Sequence, residues 1–450
     1  MRQANGWSNP QLSDAHCRIS NISSHESQAI RDEGMIKLVE ALGFRALRYV
    51  RQPLSRFHVL VGPNASGKTT FLDVPALLGR IVSEGLDTAI SERSHNFADL
   101  TWRREGKSFE LAIEAWIPDE LRQLLDNQSY DTIRYEVRIG LSEIEEVSIL
   151  AERVIFKVAA PQVEQQRLLF PEDVLMPETI LTEDKKSKSK KLVVKKVAGG
   201  NDSFYPETAS SNYAPSFKLG PRKSALGNLP EDESQFPVST WLKRTLTTGI
   251  QQIILNSLKI RMASAPGQGR GFKPDGSNLP WVIADLQDKA PGRFEEWLAH
   301  LRTALPDLEG IRTIERSDDR HRYLVLCYQG GFEVPSWMTS DGTLRLLALT
   351  LPAYLPDLQG AYLIEEPENG IHPRAVETMF QSLSSVYGAQ ILLATHSPVI
   401  LSGVDARDVL CFAKTPGGAT DIVPGDKHPA LEEWQGETNL GVLFAAGVLG

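Results

Sequence analysis

The sequence lacks the features that mark membrane, secreted and disulfide-stabilised proteins. No apolar run approaches the ~20 residues that a membrane-spanning helix needs, and Arg2 is followed by no apolar stretch of the kind found in a secretory signal. The three cysteines are isolated and odd in number, so they indicate neither a disulfide framework nor a metal-binding pattern. We therefore expect a cytoplasmic protein with reduced thiols and no membrane association.

An overall excess of positive charge is also missing. The formal net charge is −9 at pH 7, which gives no general electrostatic case for binding nucleic acid. The local exception is a lysine-rich run over residues 185–196, whose ammonium groups could contact phosphates. Most such runs are solvated loops. DNA is therefore one candidate partner, and a solvated loop is the competing interpretation of this run.

Apolar residues make up 41% of the 450 residues, enough for a sizeable core and, at this length, for two or three domains. In the last third they alternate between strand and helix spacing, which predicts a mostly parallel sheet with helices packed on it. A period of two predicts half-buried antiparallel strands earlier in the chain. The predicted strands are 57–61, 98–102, 109–113, 135–139, 323–326, 361–364 and 390–395, and the predicted helices include 239–258, 281–305, 343–354 and 373–387.

A glycine-rich segment between a predicted strand and a predicted helix matches the P-loop pattern G-x-x-x-x-G-K-[ST] in full. The backbone N–H groups of such a loop and the positive end of the following helix surround phosphate oxygens. Lys68 would neutralise the β and γ phosphates, and the Thr69 hydroxyl would bind Mg²⁺. A chance glycine-rich turn is the competing interpretation, and the flanking elements disfavour it. The candidate ATP-binding residues are Gly62, Pro63, Asn64, Ala65, Ser66, Gly67, Lys68, Thr69 and Thr70.

Two adjacent carboxylates, Glu365 and Glu366, end an apolar strand. An acid in the first position can bind Mg²⁺, and one in the second can activate an attacking water. Two solvated acids at a strand end are the competing interpretation, which the preceding P-loop disfavours. We therefore predict that Glu365 and Thr69 are metal ligands and that Glu366 is a catalytic residue.

Two further turns have both a structural and a functional interpretation. His396 directly follows the third apolar strand, where its imidazole could report on a γ-phosphate, although a lone histidine is usually structural. Ser340 or Asp341 would cap the apolar helix that follows them. The alternative for this second turn is that the helix N-terminus faces a phosphate held by another subunit.

In their order along the chain, these four elements resemble the ABC-type ATPase heads of the SMC/RecF class, and more closely the OLD-like AAA-family ATPases of bacteria. The resemblance implies an α/β fold, namely an ABC-type P-loop NTPase head with a mixed sheet flanked by helices, an antiparallel β subdomain and an inserted module. It rests on Gly62–Thr70, Ser340–Leu347, Leu363–Pro373 and Thr395–Pro398.

The resemblance also implies a homodimer or higher assembly. In such proteins two heads associate head-to-tail and hold ATP between one P-loop and the signature of the other head. Ser340 and Gly342 match the signature positions, Asn369 matches the D-loop, and His396 matches the switch histidine. Asp341 departs from the Leu-Ser-Gly-Gly form of the signature, and no Q-loop glutamine can be placed.

OLD-type nucleases carry a long C-terminal Toprim module, whereas only about fifty residues follow Pro398 here. We therefore expect any cleavage of nucleic acid to belong to another chain. The predicted segments are an N-terminal extension at 1–34, the N-terminal lobe of the head at 35–158, an inserted module at 159–310 and the C-terminal lobe at 311–450.

These inferences predict an enzyme that hydrolyses ATP with Mg²⁺ and drives or gates an effector, such as a nuclease encoded nearby, in bacterial anti-phage defence. Two other functions stay open at this point. One is a RecF/SMC-like DNA-repair ATPase that binds DNA, and the other is a nucleotide-gated scaffold with slow hydrolysis.

Overall fold

The computed structural model describes residues 35–159, 169–184, 187–208, 214–429 and 440–445; the predicted extension at 1–34 lies outside this part of the chain. The strands are β1 (Ile36–Phe44), β2 (Leu47–Pro53), β3 (Phe57–Val61), β4 (Ser108–Trp116), β5 (Thr132–Leu141), β6 (Val147–Lys157), β7 (Lys190–Val197), β8 (Asp202–Phe204), β9 (Ser216–Phe217), β10 (Ile250–Ile253), β11 (Leu308–Glu315), β12 (Arg322–Tyr328), β13 (Phe332–Pro335), β14 (Ala361–Glu365), β15 (Gln390–Ala394), β16 (Val409–Lys414) and β17 (Thr420–Pro424). The α-helices are α1 (Lys68–Glu84), α2 (Leu86–Ser91), α3 (Asp119–Arg122), α4 (Pro237–Arg244), α5 (Ser257–Arg261), α6 (Leu279–Lys289), α7 (Pro291–Ala304), α8 (Asp341–Thr350), α9 (Pro373–Ser384), α10 (Pro398–Ser402) and α11 (Leu440–Ala445).

The central sheet has the strand order β10-β14-β15-β3-β16-β17. Its strands are parallel except β17, which runs antiparallel to β16. Alternate residues of these strands pack into two hydrophobic cores on opposite faces of the sheet. Leu60 and Leu392 belong to one core, and Val59 and Leu393 belong to the other. Because the carboxyl ends of parallel strands meet at one edge, the loops after β3, β14 and β15 lie together there.

A second sheet, with the order β2-β1-β4-β5-β6-β7-β8-β9, is antiparallel throughout. Helix α1 lies between the two sheets, since Phe71 and Leu77 share one core with Leu60 of the central sheet and Val137 of the antiparallel sheet. The three-stranded sheet β11-β12-β13 and helices α6–α9 pack around the second core on the opposite side of the central sheet.

The expectation that the antiparallel strands would be half-buried is wrong for β4 and β5, whose polar residues are buried as well. Arg134 is paired with Glu40 at 2.8 Å, with Glu114 at 3.1 Å and with Glu136 at 2.7 Å. The segment 169–184 covers this network, and the Arg134 guanidinium donates to the Ile180 carbonyl at 2.9 Å. Burial is tolerated here because each charge is paired and hydrogen-bonded.

Two predicted elements take a different form in the structure. The apolar spacing at 239–258 predicts one helix, but α4 ends at Arg244, a π-helical turn spans Thr245–Gly249, and β10 follows it. Glycine and β-branched residues favour this break over continued helix. The strand predicted at 98–102 consists of two 3₁₀ turns, Phe97–Leu100 and Trp102–Arg104.

The segment predicted as an inserted module contributes to both large sheets. It supplies β7–β9 to the antiparallel sheet and β10 to the edge of the central sheet. The predicted domain boundaries at 158/159 and 310/311 therefore do not separate one sheet from another. They stay a prediction about domains. Across the described residues, no helix combines the length and the apolar character needed to cross a bilayer.

Glu152 on β6 is fully buried and holds the chain that follows β9. Its carboxylate accepts hydrogen bonds from the Tyr135 hydroxyl at 3.0 Å and the Ser224 hydroxyl at 2.7 Å. It also accepts from the backbone N–H groups of Ala225 at 2.7 Å and Leu226 at 3.0 Å. One carboxylate thus satisfies four donors that have no access to water.

Replacing Glu152 with alanine should leave these four donors without their acceptor and lower the free energy of unfolding by about 3 kcal/mol, because buried unsatisfied donors are costly. Urea unfolding measures this change. Glu143→Ala, in the exposed turn between β5 and β6, is the control and should stay within ~0.5 kcal/mol of the wild type. Equal stability of the two variants would contradict the anchoring role of Glu152.

Candidate ATP-binding and hydrolysis site

The P-loop joins β3 to α1 and lies directly against β16 and β17. Gly62 has φ +146°, and a Cβ there would lie 2.1 Å from the Phe412 carbonyl oxygen. Gly67 has φ +104°, and its Cβ would lie 2.1 Å from Thr420 Oγ1. The Thr420 hydroxyl donates to the Ser66 carbonyl at 2.9 Å. Only glycine fits at these two positions, so the neighbouring strands determine the path of the loop.

The Lys68 side chain is folded back onto the P-loop and is 7% exposed. Its Nζ donates to the carbonyl oxygens of Gly62 at 2.7 Å and Pro63 at 3.1 Å. Burial lowers the pKa of Lys68 to about 8, and the carboxylates of Glu366 and Glu365 oppose this shift. An ammonium held in this way can exchange carbonyl partners for phosphate oxygens.

Glu365 ends β14 and faces both the P-loop helix and β10. Its Oε2 accepts from the Thr69 hydroxyl, and its Oε1 accepts from Gln252 Nε2 at 3.2 Å. A hydroxyl, a carboxylate and an amide are the oxygen ligands that suit Mg²⁺. Among the described residues, no group of three or more His, Cys, Asp or Glu side chains could hold a metal ion. The donor set therefore fits a Mg²⁺ ion that shares its coordination with nucleotide phosphates.

Gln252 is a site residue that the sequence analysis does not identify. The Q-loop glutamine stays unassigned there because the predicted insert obscures the strand on which it is expected. In the structure Gln252 lies on β10, whose parallel pairing with β14 sets Gln252 opposite Leu363, two residues before Glu365. The short Ile-Gln-Gln-Ile run after Gly249 is the sequence signal that could have indicated a strand here.

Glu366 has a left-handed backbone conformation with φ +47°, which is rare for a residue with a side chain. Its N–H donates to the Ala394 carbonyl at 2.8 Å, and its carboxylate accepts from the side-chain amide of Asn369. Backbone strain of this kind is concentrated at functional sites, where the surrounding structure maintains it. The Glu366 side chain itself is exposed.

Glu368 joins the loop after β14 to the loop after β15. Its Oε1 accepts from the Thr395 hydroxyl at 2.7 Å and from the His396 N–H at 3.0 Å. The pKa of the His396 imidazole is lowered by burial and by the charge of Lys68, whereas Glu366 and Glu368 act in the opposite direction. His396 therefore lies in the combined field of the P-loop lysine and the acidic loop.

A cavity of about 570 Å³ lies beside the P-loop. It is lined by Asn64–Thr70, Glu365, Glu366 and His396, and also by Arg45, Arg103 and Arg104. These three arginines have positive φ values of 48°, 54° and 61°. They form a cationic wall that the sequence analysis does not identify. Arg45 pairs with Asp73 at 3.2 Å and Arg104 with Asp99 at 3.0 Å, so part of the charge of this wall is already neutralised.

Within the described part of the chain, the lining of this cavity does not include Ser340, Gly342 or Asn369. Ser340 caps α8, its Oγ accepting from the Thr343 N–H at 3.2 Å. Gly342 packs on the D-loop, and a Cβ there would lie 2.5 Å from the Gly370 carbonyl oxygen. The signature turn and the D-loop thus contact each other outside the cavity.

One comparison with known families agrees with the class that this geometry indicates. A family model described as "AAA domain, putative AbiEii toxin, Type IV TA system" matches residues 202–402, which contain the double carboxylate and His396. A search of curated proteins finds no match.

Three solved structures of Smc heads are similar to the chain. The first is an Smc head bound to the C-winged helix domain of ScpA, with 14% identity over 86% of this chain and 97% of that chain and a TM-score of 0.49. A second, with an extended coiled coil and bound to the C-terminal domain of ScpA from Pyrococcus furiosus, has 12% identity over 89% and 99% and a TM-score of 0.48. A head from Thermotoga maritima has 11% identity over 86% and 98% and a TM-score of 0.40.

The strand order, the P-loop and the carboxylate edge define the predicted fold class, an α/β ABC-type P-loop NTPase head with an antiparallel β subdomain. Together with the family match, they support an AAA/ABC-type ATPase.

The affinity for MgATP should fall as pH rises through about 8, because the pKa of Lys68 in the free protein is lowered to that value and only the ammonium form attracts phosphate. A titration of a fluorescent ATP analogue between about pH 7 and 9 measures this affinity. Lys68→Arg keeps its positive charge across this pH range, so its affinity for the analogue should not fall in the same way. An equal fall in affinity in both proteins would assign the effect to another group.

Neutralising Glu368 as Glu368→Gln should lower the pKa of His396 further, since the Glu368 carboxylate favours the imidazolium. An NMR titration of the His396 ring detects the change, and the glutamine carbonyl can still accept both hydrogen bonds. Glu377→Gln on the exposed face of α9 is the control. An unshifted His396 in Glu368→Gln would show that this carboxylate does not act on the imidazole.

Proposed function

We propose that this protein binds and hydrolyses MgATP at a site that two copies of the chain form together. The observation that carries the proposal is the convergence of Lys68, Thr69, Glu365, Glu366 and His396 around one cavity at the carboxyl edge of the central sheet. Such an arrangement suits phosphoryl transfer to water, which depends on positioning and on stabilisation of charge.

Each of these side chains has a role that its contacts support. Lys68 would exchange its P-loop carbonyl partners for the β and γ phosphates. Thr69 and Glu365, already hydrogen-bonded to each other, would hold Mg²⁺, which neutralises charge on the phosphates when bound. Glu366 would orient and deprotonate the attacking water, and His396 would contact the γ-phosphate.

The proposed dimer follows from the separation of the signature turn from the cavity. Ser340 and Gly342 lie on a turn that packs on the D-loop, and neither they nor Asn369 line the cavity of their own chain in its described part. A second copy in head-to-tail orientation would supply that surface to the cavity. Hydrolysis would then separate the two heads and change the state of a bound effector.

The biological setting is part of the proposal. The description of the matching family names a toxin and a toxin–antitoxin system, and a partner effector such as a nuclease encoded nearby would fit a role in anti-phage defence. We place the protein in the cytoplasm, as the isolated cysteines predict.

A DNA-binding repair ATPase has less support from three of the five described lysines of the run. Lys191 pairs with Asp126 at 2.5 Å, Lys195 with Asp184 at 2.6 Å, and Lys196 with Asp202 at 2.8 Å. Ammonium groups that already have carboxylate partners release fewer counterions on binding phosphates. Lys185 and Lys186 of the same run lie outside the described residues.

Glu366→Gln should bind ATP but hydrolyse it at least roughly 100-fold more slowly, because the amide cannot accept the proton of the attacking water. The trapped nucleotide should also hold the two heads together, which size-exclusion chromatography with light scattering detects. The control is Glu377→Gln, outside the site. Wild-type turnover in Glu366→Gln would contradict the hydrolytic role, and a monomer in saturating ATP would contradict the shared site.

A further inference from the structure

The turn that carries Ser340 and Gly342 is held by one arginine from another helix. Arg261 ends α5, and its Nε and one terminal nitrogen donate to the same Asp341 oxygen at 2.9 and 2.6 Å. Its other terminal nitrogen donates to the Trp337 carbonyl at 3.2 Å. The Ser336 hydroxyl donates back to the Arg261 carbonyl at 2.9 Å. These four bonds join α5 to both ends of the segment 336–341.

Asp341 is the residue by which this turn departs from the usual signature. It occupies the first turn of α8 and is the residue between Ser340 and Gly342. A carboxylate here suits the positive end of its own helix, but it would repel a polyphosphate brought to the same turn. Arg261 offsets this negative charge, and its planar guanidinium also fixes the direction of the carboxylate.

The position of α5 links this arginine to the rest of the head. Asn256 caps α5, its side chain accepting from the Lys259 N–H at 3.2 Å. Only residues 254–256 separate α5 from β10, which carries Gln252. Gly342 packs closely on the D-loop, since a Cβ at this position would lie 2.5 Å from the Gly370 carbonyl oxygen. The turn is thus held between the D-loop on one side and Arg261 on the other.

We propose that Arg261 is a positioning residue for the nucleotide of the second head. It neutralises Asp341 and holds the Ser340–Gly342 turn in the orientation that the partner's phosphates require, so it acts in trans and not at the P-loop of its own chain. This inference rests on the proposed shared site.

The first test compares Arg261→Ala with Arg270→Ala, which removes an exposed ion pair with Asp285 on α6. Arg261→Ala should lower ATPase activity roughly tenfold, as expected for the loss of a charge-assisted contact, and leave the affinity of the P-loop for ATP unchanged. Arg270→Ala should match the wild type in both. Equal ATPase activity in the two variants would overturn the proposal. If Arg261→Ala loses activity but keeps its circular dichroism spectrum and its ATP affinity, the loss does not come from misfolding.

The double variant Arg261→Ala/Asp341→Ala separates charge from simple loss of contacts. Removing the uncompensated carboxylate should restore part of the activity that Arg261→Ala loses, because the repulsion between Asp341 and phosphate disappears. A double variant that is no more active than Arg261→Ala would overturn the electrostatic part of the proposal.

Mixing Arg261→Ala, which is impaired, with Lys68→Ala, which lacks the P-loop lysine, tests the action in trans. In a mixed dimer of Arg261→Ala and Lys68→Ala chains, one site combines the intact P-loop of the first chain with the intact signature turn of the second. An equal mixture should therefore regain about a quarter of the wild-type activity, since random pairing makes half of the dimers mixed. No gain above the separate variants would show that Arg261 acts in cis. Wild-type ATPase activity that does not depend on protein concentration would instead contradict the shared site itself.

Discussion

The close contact between the P-loop and the end of the central sheet is the constraint on which the site depends. The Phe412 carbonyl and the Thr420 side chain occupy the space where side chains of residues 62 and 67 would lie. The loop therefore follows one path between β3 and α1, and its residues Asn64–Thr70 line the cavity. Strands β16 and β17, distant in sequence, thus act as structural supports of the phosphate-binding loop.

The catalytic edge depends on a second constraint, the parallel pairing of β10, β14, β15 and β3. This pairing brings Gln252, Glu365 and His396 to one side of the sheet, although more than a hundred residues separate Gln252 from Glu365 along the chain. Glu368 then ties two of these loops together through Thr395. Each functional side chain has at least one partner that limits its motion, as efficient electrostatic catalysis requires.

The head presents two functional surfaces that have different neighbours. The cavity is formed by the P-loop and the cationic wall of Arg45, Arg103 and Arg104, whereas the signature turn lies on the D-loop and is held by Arg261. The proposed association of two heads is based on this division. The buried ion pairs around Arg134 stiffen the antiparallel sheet that supports the cationic wall.

The sequence by itself determined the P-loop, the strand before it and the strand that ends at the double carboxylate. It also indicated the candidate roles of Lys68 and Glu366. These features depend on local patterns of glycine, charge and apolar periodicity. The sequence also determined the fold class. Only the tertiary structure decided that residues 250–253 form β10, that three arginines line the cavity and that Arg261 binds Asp341. These features depend on pairing between distant segments: the apolar spacing of residues 250–253 fits a helix as well as a short strand, and parallel pairing with β14 decides in favour of the strand.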